Sequence, residues 1–291
     1  MKNTQMGNPF SSAHILALYI RHDFRTGLGG QWKKFAVALA LFCMVCGQFF
    51  AEYTLAAGQP SADLENGLTV GDYVARFLCG MPLFNPDDPS FHVNVLWLTI
   101  HLYLAYVIGL FPSKDLYGYG QQMLLRSQTR LTWWISKCLW ATATTVIYYL
   151  LLLITATVFA GFTGSLNLTP QPSVQSLLND MNTEAITSTI MLKWLLITCS
   201  VSVALSLLQM TISVLLRPLW GILSIVLLLT TSIFYAADWL PGQYLMLMRC
   251  REVSSNASHP LIGLSLSVLV AAASVFIGYY ALKTRDILYE R

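Results

Sequence analysis

Charge is scarce in this chain. Aspartate, glutamate, lysine and arginine make up 11% of its 291 residues, against 55% apolar residues. Soluble domains carry about 25% charge. The mean hydropathy is +0.57. Such a composition is too apolar for disorder and argues for a membrane protein before any motif is read. The formal net charge is only +3, and the basic residues are not gathered on one element. That gives no footprint for a nucleic-acid partner.

Catalytic signatures are missing as well. GxxxxGK[ST], HExxH and GxSxG do not occur, so neither nucleotide hydrolysis of the P-loop kind nor the chemistry of the other two motifs is expected of this chain. No catalytic, metal or cofactor-binding residue is assigned. The six cysteines form no framework: Cys43, Cys46, Cys138 and Cys199 lie in apolar runs, and Cys79 and Cys250 lie in flanking loops where they could pair. No Cys/His spacing is zinc-like. The five histidines are scattered, and His101, inside an apolar run, reads as a helix-packing or pore-facing residue. The first 32 residues contain Lys2, Arg21, Asp23 and Arg25 and do not read as a cleavable signal.

What the chain has in quantity is apolar runs. A helix needs about 20 apolar residues to cross the hydrocarbon core. Six stretches qualify: 35–56, 93–112, 138–160, 194–216, 219–237 and 261–282. Pro218, a poor residue for a helix interior, separates the fourth from the fifth as a tight hairpin. The expected fold is all-α and polytopic, a single transmembrane domain over 1–291 with 1–33 outside the spans. With both termini in the cytoplasm, only Arg76, Lys193, Arg249 and Arg251 fall on the outer side, leaving 13 of the 17 basic residues inside. Asp63, Glu65, Asp72, Asp87, Asp88, Asp180 and Glu184 all fall in outer loops. This asymmetry orients the chain N-in and C-in.

The loops carry further expectations. LTVGDYVARFLCGMP reads as a short helix with Leu68, Tyr73, Phe77 and Leu78 available for packing, and PSVQSLLNDMN as a second one. The patch LPGQYLMLM either lies on the outer membrane surface or caps the bundle. Glu52, near the outer end of the first span, could line a cavity or pair with Lys193, which opens the fourth. Over 11–28, Leu16, Ile20 and Phe24 share a helical face beside Arg21 and Arg25. That pattern suits an interfacial helix, or an ordinary cytoplasmic one. Between the second and third spans lies QQMLLRSQTRLTWWISKCLW. Trp133 and Trp134 are expected at the headgroup level, with Lys137 snorkelling to the same depth.

The order of these features resembles the permease subunit of an ABC exporter of the ABC-2 type. The likeness rests on the N-terminal helix, six spans, the connection YGYGQQMLLRSQTRLTWWISKCLW and the ending GYYALKTRDILYER. It covers nearly the whole chain. It implies that the connection is a coupling helix docking on a separate cytoplasmic ATPase subunit, which would hold ATP and magnesium. Gly120 to Arg130 would make that contact, with Met123, Leu124 and Leu125 as apolar contacts and Arg126 and Arg130 as polar ones. Leu16, Ile20, Arg21, Phe24 and Arg25 would belong to the family's interfacial helix. The resemblance further implies a second permease copy or a related permease, and a bacterial cell-membrane location. An amphipathic peptide or lipid-like cargo fits the uncharged spans, as in peptide or lantibiotic export or immunity. The alternatives are a secondary transporter or channel, or a non-transporting structural or immunity protein.

Overall fold

The computed structural model describes residues 12–58, 67–85, 91–116, 130–253 and 259–284. Each of the six apolar stretches falls on a helix. The chain is a mostly helical, polytopic membrane protein. After α1 (Ser12–Asp23), a π-helical segment (Phe24–Leu28) and a 3-10 turn (Gly29–Gln31) lead into α2 (Trp32–Ala57). Then come α3 (Val70–Leu78), α4 (Val95–Gly109), α5 (Phe111–Leu116) and α6 (Arg130–Thr163). The chain closes with α7 (Pro172–Leu178), α8 (Ser188–Leu215), α9 (Pro218–Phe234) and α10 (Pro260–Thr284).

Four described helices are long and apolar enough to cross a membrane: His14–Ala57 taken through its irregular turn, α6, α8 and α10. The 15-residue α4 and the 17-residue α9 are apolar but shorter. Pro112 explains the shortness of α4. Its ring excludes the hydrogen bond to the carbonyl four residues back, so the helix stops at Gly109 and restarts as α5.

Helix α8 is the centre of the bundle. In its most apolar window 67% of residues are buried, against 22% in α10. The exposed residues of α10 include Leu261, Val268, Leu269 and Phe276, and such an uncovered apolar surface belongs in lipid. Close approach relies on small residues. At Gly278 of α10 a Cβ would collide with the Trp134 indole of α6, and Trp134 Nε1 donates to the Val275 carbonyl at 2.8 Å.

The two ends of the bundle differ. One, here the basic end, gathers α1, α5, the start of α6 and the end of α10. The other is capped. There β1 (Leu68–Thr69) pairs in parallel with β2 (Gly164–Ser165), Leu68 opposite Gly164. Helix α3 follows a capping box in which Thr69 and Asp72 satisfy each other's backbone amides. Leu68, Tyr73, Phe77 and Leu78 are buried, as the sequence suggests. LPGQYLMLM folds into two 3-10 turns, Pro241–Leu245 and Leu247–Arg249, whose residues are almost all buried. Of the two expected positions it takes the bundle cap, because its backbone is used inside: Trp97 Nε1 donates to the Leu245 carbonyl at 3.0 Å and Thr198 Oγ1 to that of Tyr244 at 3.4 Å.

Helix α6 begins at Arg130, so the span expected over 138–160 lies inside a longer helix. Trp133, Trp134 and Lys137 are therefore helical and fully buried against the protein, where the sequence suggests side chains exposed to headgroups. Neighbouring elements cover that face. Cys79 and Cys250 are buried free thiols and do not pair.

Candidate functional site

The densest ionic feature among the described residues lies at the basic end. In α1, Ile15, Tyr19 and Asp23 recur every four residues and are buried, so this face packs on the bundle. The adjacent stripe is less covered: Leu16 and Ile20 are half-buried, while Phe24, Arg21 and Arg25 are exposed. The face that docks is therefore not the one expected to be interfacial. The docking face ends on a carboxylate.

Asp23 meets Lys137, about two helical turns inside α6. The Lys137 ammonium is hydrogen-bonded to Asp23 Oδ1 and lies 2.7 Å from Asp115 Oδ2 on α5. Ser136 Oγ donates to Asp23 Oδ2 at 2.6 Å and Trp133 Nε1 to Asp115 Oδ2 at 3.3 Å. His22 Nε2 stands 3.5 Å from Asp115 Oδ1. Lys137 Nζ also lies 4.7 Å from the Phe111 ring centroid and 5.3 Å from that of Trp133, both within cation–π range. A buried ammonium is tolerable only when paired and hydrogen-bonded, and here it has both. Snorkelling is excluded for Lys137, because two carboxylates reach it inside the protein.

His22, Asp23 and Asp115 each offer a metal-ligand atom within 4.8 Å of the others. The donor set nevertheless fits the lysine better than a metal ion. The ammonium bridges the two carboxylates, where a cation would sit, and the aromatic rings hold it there. A divalent ion would have to share that space with a fixed positive charge.

The junction's position in the chain gives it its interest. Asp115 precedes residues 117–129 and Lys137 follows them, so one ammonium closes both flanks of this connection and ties them to α1. Gly120, Met123, Leu124, Leu125 and Arg126 lie outside the described residues. Arg130 is described, and its Nη1 donates to the carbonyls of Leu282 at 2.7 Å and Lys283 at 3.1 Å. It therefore caps the last turn of α10, a favourable place for a cation.

At the capped end the Glu52–Lys193 pair does not form. Glu52 bonds to Arg76 of α3 at 2.9 Å, and Lys193 is exposed on α8. Helix α3 lies beside α2 and brings Arg76 within reach. Arg76 also donates to Asn179 Oδ1 at 2.6 Å. Buried Asp72 accepts from Thr69 N and Oγ1, Gln171 N and Gln175 Nε2 at 2.7–2.9 Å. Burial pushes its carboxyl up from the usual range, and those donors pull it partly back. Among the described residues, Arg249 is buried against carbonyls: Met81, Pro82, Ser232 and Ile233. Burial lowers its guanidinium to about 10. Gly80 makes room nearby, at φ 72° and where a Cβ would strike Met246.

A family model described as "Protein of unknown function (DUF2705)" matches residues 86–288. The chain belongs to the DUF2705 family. No curated protein and no solved structure matches it. The family region takes in α4 to α10, and with them Asp115, Arg130, Lys137 and Arg249. Asp23 and the rest of α1 precede it.

Sequence reasoning missed Asp23, Asp115 and Lys137 as a unit. A signal was available. Acidic residues are rare on the basic side, where Asp23 and Asp115 stand apart from the tail residues Asp286 and Glu290.

Proposed function

We propose that this chain is the membrane-spanning subunit of an ATP-driven exporter of the ABC-2 type that its sequence resembles. The observation that carries the reading is the Lys137 junction. A coupling element must pass force into the spans, and a loop tethered by flexible ends would dissipate it. Here both flanks of 117–129 and the N-terminal helix converge on one buried ammonium. A push on the connection would therefore move α1, α5 and α6 together.

In this reading the basic end faces the cytoplasm, six helices span the membrane, and a separate ATPase holds ATP and magnesium. A second copy or a related permease completes the pathway in the cell membrane. The cargo is an amphipathic peptide or a lipid-like molecule. The chain performs no covalent chemistry. Arg126 takes the polar contact with the ATPase, and Arg130, already spent on the α10 carbonyls, is reassigned to holding that helix end.

Affinity purification from the native membrane tests this. A soluble ATPase is expected to co-purify. Arg126→Glu is expected to cut its recovery at least tenfold with normal membrane insertion. Arg130→Glu should mainly expose the end of α10 to proteolysis. No ATPase under any mild extraction would overturn the exporter reading. Full recovery with Arg126→Glu would overturn that residue's assignment.

A further inference from the structure

Between α4, α8 and α9 lies a small space of about 20 Å³, lined by His101, Ser202, Ser206, Gln209, Leu229 and Leu245 among others. It sits within the apolar helices. One ordered water needs roughly 10–15 Å³ of such space and two to four polar partners, so there is room for one molecule.

The polar groups here have a definite direction. His101 Nδ1 lies 2.8 Å from the Trp97 carbonyl. A carbonyl only accepts, so Nδ1 carries the proton and Nε2 is a bare acceptor. Nε2 is buried and has no partner. An unpaired buried acceptor costs on the order of 1–3 kcal/mol. Across the space, Ser202 Oγ lies 2.7 Å from the Tyr149 hydroxyl. Either oxygen can be the donor in that bond. Ser202 lines the space and Tyr149 does not, so when Tyr149 donates, the Ser202 proton is free to turn into the space. Ser206 Oγ donates its one proton to the Ser202 carbonyl at 2.7 Å, and Gln209 Nε2 spends one of its two on the Ala105 carbonyl at 2.7 Å.

A spare donor and a spare acceptor thus face one water-sized space. We infer that it is a water site, and that the water accepts from Ser202 and donates to His101 Nε2. The result is a single directed chain: Tyr149 to Ser202, Ser202 to water, water to His101, His101 to the Trp97 carbonyl. It joins α6, α8 and α4 through their interior. A second water proton has the Ser206 oxygen or the Gln209 amide within the same wall. The inference is independent of the exporter reading, since it concerns the bundle whatever the bundle carries.

Solid-state NMR on the full chain in lipid vesicles tests it. Ile100–His101 is the sequence's one Ile–His pair, so ¹³C-carbonyl isoleucine with ¹⁵N-histidine marks this residue alone. The expected result is an unprotonated Nε2 that receives magnetisation from water and survives a soluble paramagnetic quencher that removes the exposed histidines. A protonated Nε2, or no transfer from water, overturns the site. Ser202→Ala should reduce the transfer at least tenfold. Undiminished transfer in that variant overturns the chain's direction. Should the variant not fold, the wild-type measurement decides alone.

Discussion

Two cations are buried at opposite ends of this bundle, and they are neutralised in opposite ways. Lys137 is held by two carboxylates from two different segments, with aromatic rings beneath it. Arg249 has, among the described residues, backbone carbonyls, from residues 81–82 and 232–233. The carbonyls of 232–233 belong to the last turn of α9, whose dipole favours a cation there. The guanidinium fork fixes four acceptors in one rigid plane, which makes a lock. The ammonium has no planar demand, and each carboxylate attaches its own helix to it. The Arg249 arrangement holds a cap in place. The Lys137 arrangement links separate helices through one point and suits transmission.

The sharpest way to break the comparison is to remove the lysine. Lys137→Met leaves Asp23 and Asp115 facing each other in a buried site. Breaking a buried pair in this way costs about 3–5 kcal/mol, so a large fall in Tm is expected. Adding Asp23→Asn and Asp115→Asn should restore most of it, because no uncompensated charge remains. A loss that the triple variant fails to recover would mean that the packing of the lysine stem, rather than charge pairing, holds the junction.

Arg249→Lys tests the other end and should cost less. The charge stays, but three donors on a tetrahedral ammonium cannot serve carbonyls fixed by a planar fork. A loss of about 2 kcal/mol is expected, together with faster hydrogen exchange across 241–249. Wild-type stability in this variant would show that the carbonyls need only the charge.

The contrast also explains what could be read in the sequence. Apolar run length found the helices, since crossing a membrane is a one-dimensional demand. The short helix at 70–78 was legible because Leu68, Tyr73, Phe77 and Leu78 suit a packed face. The ion pairs were not. Lys137 stands near the end of a run, where a lysine ordinarily reaches water. Only the packing of α1 and α5 over that face removes the water. Glu52 was illegible for the same reason: its partner Arg76 is 24 residues away in sequence, and the α10 carbonyls that Arg130 reaches are 152 away. Spacing within one helix carries no information about them.

The smallest expected effect is also at the capped end. Asp72 uses each carboxylate oxygen for two donors. In Asp72→Asn one of those oxygens becomes an NH₂ group, whichever way the amide turns, and two bonds are lost. The variant also relieves the burial of a charge, so the net loss should be about 1 kcal/mol. The pH dependence separates the two contributions. The folded carboxyl titrates above its ordinary 3.8, so the folded state binds this proton more tightly than the unfolded one. Its favourable contribution is therefore complete below 3.8 and is lost as pH rises through the folded value. The wild-type Tm should fall over that window relative to Asp72→Asn, whose difference from wild type shrinks towards neutrality. A difference that grows with pH would mean that the four donors outweigh burial and hold the carboxyl ionised.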